Sequence, residues 1–207
     1  CLTVIPNQDL SYINNSEDFI FENLTLQIPK GKHTVITGVN GSGKSTLLGL
    51  LSGVFYAENG SVETYSDKIG YVGASPMIIN STLKENLLYS TNEDVDDSKI
   101  LKLLSTFKIF NEESFSLDRK ISNKSLSMGQ MQKISFVRAI LSGVEILILD
   151  ESTSNLDEGS KKLIFQILQD LNITIINSTH NKEDFNNIDL HIEIAISEFG
   201  VRSLKLN

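Results

Sequence analysis

The sequence predicts an α/β fold built on a mostly parallel sheet, and three observations support this prediction. Apolar runs of strand length alternate with amphipathic helical stretches along most of the chain. A glycine-rich loop at residues 38–46 stands between a short apolar strand and an apolar helix start. A second apolar strand, at residues 145–150, ends in adjacent carboxylates. The helix-rich stretch at roughly 77–141 interrupts the alternation and predicts an inserted lobe.

The elements follow from periodicity and from turn residues, taken in chain order. Short runs of β-branched and apolar residues, several of them alternating with polar ones, predict strands. Apolar residues at helical spacing predict helices, one of which ends at Ser142-Gly143. The strands are predicted at 3–5, 19–21, 24–28, 33–38, 61–65, 68–72, 145–150, 173–177, 190–196 and 201–206, with the last two as a hairpin. The helices are predicted from 44 onwards and at 82–90, 98–107, 130–141 and 159–171.

Composition narrows the classes of function. The 207 residues are 40% hydrophobic, which allows a sizeable core, and the net charge of −8 disfavours binding along a nucleic-acid backbone. Cys1 is the only cysteine, which excludes an internal disulfide or a cysteine metal cluster. No run approaches the ~18–20 apolar residues that cross a bilayer. A membrane role is therefore expected to need a partner or a segment outside this sequence.

The loop at residues 38–46 carries the most specific signal. It reads Gly-Val-Asn-Gly-Ser-Gly-Lys-Ser-Thr and fits G-x-x-x-x-G-K-[ST]. Glycines let the backbone curl so that N–H groups face an anion, and the helix that follows turns its positive end to the same anion. Lys44 can reach the β- and γ-phosphates, and the Ser45 hydroxyl can join a Mg²⁺ shell. The alternative, an ordinary turn, is disfavoured by the spacing and by both flanks.

Polar residues at later strand and helix ends predict further chemistry. Asp150 ends a buried strand, where α/β sheets bind ligands, and is expected to hold Mg²⁺. Glu151 is then placed to polarise an attacking water as a general base. His180 follows the next strand and could hydrogen-bond the γ-phosphate or that water. Ser127 is a good N-cap for a helix whose start around Gly129 could bind an anion. An acidic turn and an ordinary capped helix are the alternatives.

Together these residues resemble the nucleotide-binding domain of ATP-binding cassette (ABC) transporters, of the exporter type. The resemblance spans nearly the whole chain, in the expected order of motifs. It implies a P-loop NTPase fold with a RecA-like core, an antiparallel β subdomain and an inserted α-helical subdomain. A single domain over 1–207 is expected, with 1–76 and 142–207 as catalytic core and 77–141 as the helical part.

The resemblance also implies the roles of individual residues. The Walker A residues expected at the nucleotide are Gly38, Asn40, Gly41, Ser42, Gly43, Lys44, Ser45 and Thr46, with Tyr12 as a candidate to stack on adenine or else a packed strand tyrosine. Ser127, Gly129 and Gln130 belong to the signature, which contacts the ATP of the opposite protomer, and Asp157 belongs to the D-loop. Ser45 and Asp150 are the expected Mg²⁺ ligands, and Glu151 and His180 the catalytic pair.

The family mechanism implies partners and a location. Two such domains, identical or different, close around two Mg·ATP molecules, and hydrolysis drives transport through transmembrane partners. The expected place is the cytoplasmic face of the plasma membrane, with no nucleic-acid partner. Two departures stand out, because Ala74 replaces the usual glutamine and Met128 replaces the usual glycine of the signature.

Two alternatives remain open at this point. One is a regulatory or interaction module that binds ATP with little hydrolysis, which Ala74 and Met128 favour and which Asp150, Glu151 and His180 oppose. The other is a soluble ABC ATPase of translation or DNA repair. Such proteins usually carry two cassettes or long coiled coils, and neither is present in this sequence.

Overall fold

A computed structural model describes residues 2–5, 10–13, 19–91, 94–110, 116–180, 187–197 and 202–206. For residues 2–5 and 10–13, and for Phe19, Glu22 and Asn23, it describes the backbone alone. The chain divides into two compact units. The first unit comprises Cys1–Ile69, Glu145–Glu151 and Asn172–Asn207, and the second unit comprises Gly70–Val144 and Ser152–Leu171. The predicted partition into 1–76, 142–207 and 77–141 stays a prediction.

The elements follow one another along the chain in the predicted alternation. The strands are β1 Leu2–Ile5, β2 Leu10–Ile13, β3 Phe19–Leu24, β4 Leu26–Ile28, β5 His33–Gly38, β6 Ser61–Glu63, β7 Ile69–Gly73, β8 Ser81–Thr82, β9 Lys120–Ile121, β10 Ile146–Asp150, β11 Thr174–Ser178, β12 Leu190–Ile196 and β13 Arg202–Leu206. The helices are α1 Lys44–Leu51, α2 Leu83–Leu88, α3 Asp97–Thr106, α4 Met128–Leu141 and α5 Glu158–Gln169.

The main sheet of the first unit is mostly parallel, as predicted. Its strands run in the order β13-β12-β5-β11-β10. The pairings β12–β5, β5–β11 and β11–β10 are parallel, and β13 returns antiparallel to β12 as the predicted terminal hairpin. Parallel strands bring their carboxyl ends to one edge, so the loops after β5, β10 and β11 lie at the same side of the sheet.

Antiparallel strands form the rest of the β structure in the first unit. Strand β1 lies between β4 and β6 in a 3-stranded sheet, and β2 pairs with β3 in a 2-stranded one. The predicted strand over 24–28 is divided between β3 and β4. The mixed α/β architecture with its antiparallel β part agrees with the fold class that the sequence predicts.

A shared apolar core joins α1 to the sheet of the first unit. Four residues of β10, from Ile146 to Leu149, are 0% exposed, because both faces of this strand are covered. Burying a leucine or isoleucine side chain stabilises the fold by about 1.5–3 kcal/mol. The core contains Phe21, Leu24, Leu26, Ile28, Ile36, Leu47, Leu48, Leu50, Leu51, Ile146, Ile148, Ile176, Ile192 and Ile194. This packing holds the start of α1 against the strands that precede the functional loops.

Helices dominate the second unit. Helix α4 begins at Met128, two residues before the predicted start, because Ser127 and Gln130 form a capping box at its first turn. Arg138, near the end of α4, donates to the backbone oxygens of Asn86 at 2.7 Å and Met77 at 3.1 Å. Among the described helices, none is long and apolar enough to cross a membrane.

Asp189 ties the start of β5 to the segment before β12. Its carboxylate accepts the His33 backbone N–H at 2.8 Å and the Lys32 ammonium at 2.9 Å. The His33 hydrogen bond is the main reason that the pKa of Asp189 lies below its ordinary value of 3.8. The contribution to stability is therefore present above the ordinary pKa and is lost as the pH falls through the lower, folded-state pKa.

We predict that Asp189→Asn lowers the free energy of unfolding at pH 6 by about 0.5–1 kcal/mol, a modest effect because solvent screens this half-exposed pair. The difference between variant and wild type is expected to shrink as the pH is lowered below 3.8. Urea unfolding at pH 6 and at acid pH measures it. Asp67→Asn, at an exposed position of the same unit, is the control. A difference that stays constant with pH would contradict the prediction.

Candidate functional site

The loop between β5 and α1 curls through two glycines with left-handed backbone angles. Gly41 has a φ of 76° and Gly43 a φ of 101°, values that residues with a Cβ rarely adopt. The Ser42 N–H donates to the Val39 carbonyl at 3.1 Å and closes the turn. A Cβ on Gly43 would lie 2.9 Å from Cζ of Phe21, so the ring of the preceding antiparallel hairpin also requires glycine there.

Lys44 lies folded into this loop. Its side chain is buried, and its ammonium donates to the carbonyl oxygens of Gly38 at 2.9 Å and Val39 at 3.2 Å. Neutral carbonyl partners leave no opposing charge beside Lys44, so its side chain can form a charge-assisted hydrogen bond with an anion entering the loop. The chain thus holds a positive charge in the loop while the protein as a whole is acidic.

Helix α1 begins at the end of the loop without a competing anion. Its N-cap is Gly43, no side chain caps its first N–H groups, and its first turn contains no acidic residue. The first N–H groups of a helix have no partner within the helix and carry its positive partial charge. Such a helix start can bind a phosphate.

A cavity of about 330 Å³ opens over the loop. Its volume and its polar lining suit the phosphate part of a nucleotide. Gly38 and Ser42 belong to the same loop but do not line the cavity, and Ser42 is fully buried. The lining residues are Ile20, Asn40, Gly41, Gly43, Lys44, Ser45, Thr46, Glu151 and Arg202.

The two carboxylates at the end of β10, Asp150 in the strand and Glu151 directly after it, lie beside the end of β11. The Ser178 hydroxyl donates to Asp150 at 2.7 Å, which orients that carboxylate. Glu151 has a φ of 49°, an uncommon backbone conformation for a residue with a side chain. Nε2 of His180 lies 2.9 Å from Oε1 of Glu151, with exposed fractions of 50% and 38%. The structure therefore brings together the predicted carboxylate and histidine at the carboxyl edge of the sheet.

Oxygen donors fit a magnesium ion here. Ser45, which lines the cavity, supplies a hydroxyl, and Asp150 supplies a carboxylate, the ligand types that Mg²⁺ prefers. Within the part of the chain that the structure describes, no group of three or more His, Cys, Asp and Glu residues could hold a metal. In general, Mg²⁺ takes few protein ligands and completes its shell with phosphate and water oxygens.

Tyr12, the candidate for adenine stacking, lies in β2 opposite Phe21 of β3. The structure describes only the backbone at this position, so the side chain of Tyr12 lies outside the described part of the chain. Its role stays a prediction.

The predicted signature residues open α4 in the second unit. The Ser127 hydroxyl accepts the Gln130 N–H at 3.2 Å, and the Gln130 side chain accepts the Ser127 N–H at 2.9 Å. The Gln130 amide also donates to the Ile109 carbonyl at 3.1 Å. Ser127 is exposed, Met128 is 48% exposed, and Gly129 is partly buried. The start of α4 therefore offers an exposed serine and a partly exposed glycine backbone, with a methionine side chain next to them.

Two other predicted positions of the second unit have defined contacts. Asp157 is the N-cap of α5, where it accepts the hydroxyl of Ser160 at 2.7 Å and the N–H of Ser160 at 2.9 Å. These bonds, the hydroxyl first, lower the pKa of Asp157. The carbonyl oxygen of Ala74 accepts the side-chain amide of Asn155 at 2.8 Å. The contact of Ala74 therefore uses its backbone carbonyl, which a residue of any type could provide.

Sequence reasoning missed Arg202 and Asn155. Arg202 lines the cavity and donates to the loop carbonyls of Ser42 and Gly41. One signal could have found it, because alternation along the last strand puts Arg202 on the same side as Leu204, where an apolar residue is expected. Asn155 stands two residues before Asp157 in the segment that resembles the D-loop, but no pattern in the sequence indicated its contact with the Ala74 carbonyl.

The two glycines allow a matched test of the loop's geometry. We predict that Gly41→Ala lowers the free energy of unfolding by about 1 kcal/mol, because a Cβ there meets nothing within 4 Å and only the φ is strained. Gly43→Ala is expected to cost about 1–3 kcal/mol more, because its Cβ also meets the ring of Phe21. Urea unfolding of both variants measures the difference. Equal losses would contradict the predicted contact with Phe21.

Comparisons with known proteins identify the family of the chain. A protein-family model described as ABC transporter matches residues 21–154. The energy-coupling factor transporter ATP-binding protein EcfA1 of Mesomycoplasma hyopneumoniae is 32% identical over 193 residues, which cover 84% of this chain and 70% of that protein. The ATP-dependent permease MDL1 of Candida albicans is 32% identical over 204 residues, covering 87% of this chain and 30% of the permease.

A solved structure shares the fold over the full chain. It is titled as the structure of a bacterial Atm1-family ABC exporter with ATP bound, and it matches with a TM-score of 0.83 at 18% identity. The match covers 100% of this chain and 38% of the exporter chain. The chain thus spans well under half the length of this exporter and of the Candida permease. On the family match and the EcfA1 relative, the chain belongs to the ABC transporter family.

Proposed function

We propose that the chain binds Mg·ATP in the loop at residues 38–46 and hydrolyses it to ADP and phosphate, as the ATPase domain of an ABC transporter. The observation that carries this proposal is the combination of Lys44 buried in the loop with an uncapped helix start beside a cavity of about 330 Å³. Both features supply positive potential at the place where the glycines turn backbone N–H groups inwards.

The phosphates would be held by main-chain amides and by Lys44. The amides of such a loop cradle the α- and β-phosphates, while the lysine reaches the β- and γ-phosphates. The Lys44 ammonium has three N–H donors and uses two of them on loop carbonyls, so one donor remains for a phosphate oxygen while both carbonyls stay bonded. A charge-assisted bond formed in a desolvated loop is about twice as strong as a neutral one.

Hydrolysis would depend on Glu151 and His180. Glu151 lines the cavity and can accept a proton from an attacking water as general base. His180 lies 2.9 Å from this carboxylate, so it can orient the carboxylate towards the water. Ser45 and Asp150 would hold Mg²⁺, which neutralises the charge that develops on the phosphate oxygens. Ser178 keeps Asp150 oriented by its hydrogen bond of 2.7 Å.

A second nucleotide-binding domain, identical or different, would complete the site. The exposed serine and the partly exposed glycine at the start of α4 suit contact with a phosphate bound to another protomer. Transmembrane partners would couple the dimer to transport, since two of the similar proteins are named as a permease and an exporter. The place that follows is the cytoplasmic face of the membrane, where ATP is available.

A second candidate function is an ATP-binding regulatory module with little hydrolysis. Ala74 supports it, because a methyl side chain cannot ligate Mg²⁺ or sense a γ-phosphate. The exposed Met128 supports it as well, because it adds bulk beside Gly129. The two functions differ in turnover rather than in binding, so phosphate release by the wild type under conditions that allow dimers separates them.

We predict that Lys44→Met weakens binding of Mg·ATP by about 10–100-fold, because a charge-assisted contact to phosphate is worth about 1.5–3 kcal/mol. The loss is expected to be smaller for Mg·ADP, which lacks the γ-phosphate that the lysine reaches. Calorimetric titration measures both affinities. Lys68→Met, at an exposed position of the same unit, is the matched control. Equal ATP affinity in Lys44→Met and wild type would contradict the proposal that this loop binds the phosphates.

We predict that Glu151→Gln slows steady-state phosphate release by about 100-fold or more while leaving ATP affinity within about threefold of wild type, because a general base contributes 10²–10⁴-fold to the rate. Glu63→Gln makes the same chemical change at an exposed position of the first unit and is expected to keep the wild-type rate. A colorimetric phosphate assay measures the rates. Normal turnover by Glu151→Gln would assign the base to another residue.

A further inference from the structure

Arg202 contacts the phosphate-binding loop from the last strand of the chain. Its Nε–H donates to the carbonyl oxygen of Ser42 at 3.1 Å, and a terminal nitrogen of its guanidinium donates to the carbonyl oxygen of Gly41 at 3.3 Å. The side chain is half-buried and lines the same cavity as Lys44. No motif of the predicted ATPase uses this arginine, so its position calls for an explanation of its own.

The sheet register explains why Arg202 reaches the loop. Strand β12 pairs Ile194 with Gly38, the residue at which β5 ends and the loop begins. Ile196, two residues further on, pairs with Arg202 in the antiparallel return strand. The first residue of β13 therefore lies beyond the end of β5, beside the loop. Its side chain therefore reaches the carbonyl oxygens of Gly41 and Ser42.

The contact acts on the amides that would bind phosphate. A trans peptide directs its carbonyl oxygen and its N–H to opposite sides. When the guanidinium holds the carbonyl oxygens of Gly41 and Ser42, the N–H groups of the same two peptides, those of Ser42 and Gly43, are fixed in direction. The Ser42 N–H closes the turn on the Val39 carbonyl, so the Gly43 N–H is the one that we assign to a phosphate. A cation on a carbonyl oxygen also polarises the peptide and strengthens its N–H as a donor. Gly43 lines the cavity at the start of α1, so its N–H is the group that gains.

Arg202 also changes the charge around the cavity. The charged side chains in its lining are Lys44, Arg202 and Glu151, which leaves an excess of positive charge only because Arg202 is present. A polyphosphate carries several negative charges, and the whole chain has a net charge of −8. Local cations are therefore needed to offset the repulsion between this acidic protein and a nucleotide.

We propose that Arg202 is a positioning residue of the nucleotide site, whose guanidinium holds the Gly41 and Ser42 carbonyls and so fixes the closed turn and the Gly43 amide, one of the loop amides that receive the α- and β-phosphates. This inference rests on the proposed function. Because the amides contact phosphates that ATP and ADP share, loss of Arg202 weakens both nucleotides by the same factor. Loss of Lys44, which reaches the γ-phosphate, weakens ATP more than ADP. A purely structural arginine that anchors the hairpin would change stability and leave both affinities of the folded protein unaltered.

The test is calorimetric titration of Mg·ATP and Mg·ADP into wild type, Arg202→Gln, Arg202→Lys and Lys205→Gln, with thermal unfolding to confirm that each variant is folded. Lys205 is an exposed residue of the same strand, so Lys205→Gln removes one positive charge without touching the loop. Arg202→Gln is expected to raise both dissociation constants about tenfold with their ratio unchanged. Arg202→Lys is expected to raise them about threefold, since an ammonium keeps the charge and loses the two-pronged geometry. Lys205→Gln is expected to match wild type.

Three results would overturn the inference. In the first, Arg202→Gln binds both nucleotides as tightly as wild type does. In the second, it loses ATP affinity alone, which would give Arg202 a γ-phosphate contact instead of the amide role. In the third, Lys205→Gln weakens binding as much as Arg202→Gln does, which would show that the net charge of the protein, and not the contact with the loop, causes the loss of affinity. If Arg202→Gln does not fold, Arg202→Lys decides, and wild-type affinity in that variant overturns the proposal. A wild type that binds neither nucleotide rejects the proposed function itself, which distinguishes the two failures.

Discussion

The arrangement of backbone dipoles in the loop at residues 38–46 is the constraint on which the rest of the site depends. Peptide N–H groups can face an anion only if the carbonyl oxygens of the same peptides find partners on the other side. Here the chain supplies those partners itself, since Lys44 holds the carbonyls of Gly38 and Val39 and Arg202 holds those of Gly41 and Ser42. Two cationic side chains of the protein therefore hold the loop carbonyls without the help of a ligand.

The parallel sheet brings the reactive groups to this loop. Because β5, β10 and β11 run in the same direction, their carboxyl ends place the loop, Asp150, Glu151 and His180 along one edge of the first unit. The apolar residues of α1 and of the strands hold this edge rigid, since they are almost fully buried. Precise geometry at the site follows from packing that is remote from the chemistry. The positive φ of Glu151 is a local strain that such packing can support.

Much of the fold and the composition of the site could be predicted from the sequence, because the signals were local. Unbroken apolar runs predicted the buried strands β10 and β11, and the capping residues Ser127 and Gln130 lie where α4 begins. The loop pattern itself encodes its glycines, and the structure gives two of them the left-handed angles that glycine permits. Each of these features depends on residues close together along the chain.

The features that were missed depend on residues far apart in the chain. Arg202 meets Ser42 across 160 positions, and Asn155 meets the Ala74 carbonyl across 81. Only the register of β12 and β13 brings Arg202 to the loop, and no periodicity reports a register. The predicted strand 24–28 is divided between β3 and β4 because the two parts pair with different strands, which the sequence does not indicate either. Tertiary pairing decides such details, and the pattern of a single strand does not tell which strand or loop lies beside it.

The central claim is that the main-chain amides of residues 38–46 bind a nucleotide phosphate. Amide hydrogen exchange of this segment, measured with and without saturating Mg·ATP, tests it most directly, because exchange reports the N–H groups themselves. The account predicts that exchange slows strongly within the loop and at the start of α1, while the exposed strand β6 exchanges at an unchanged rate. Equal exchange in the loop with and without Mg·ATP would contradict the account.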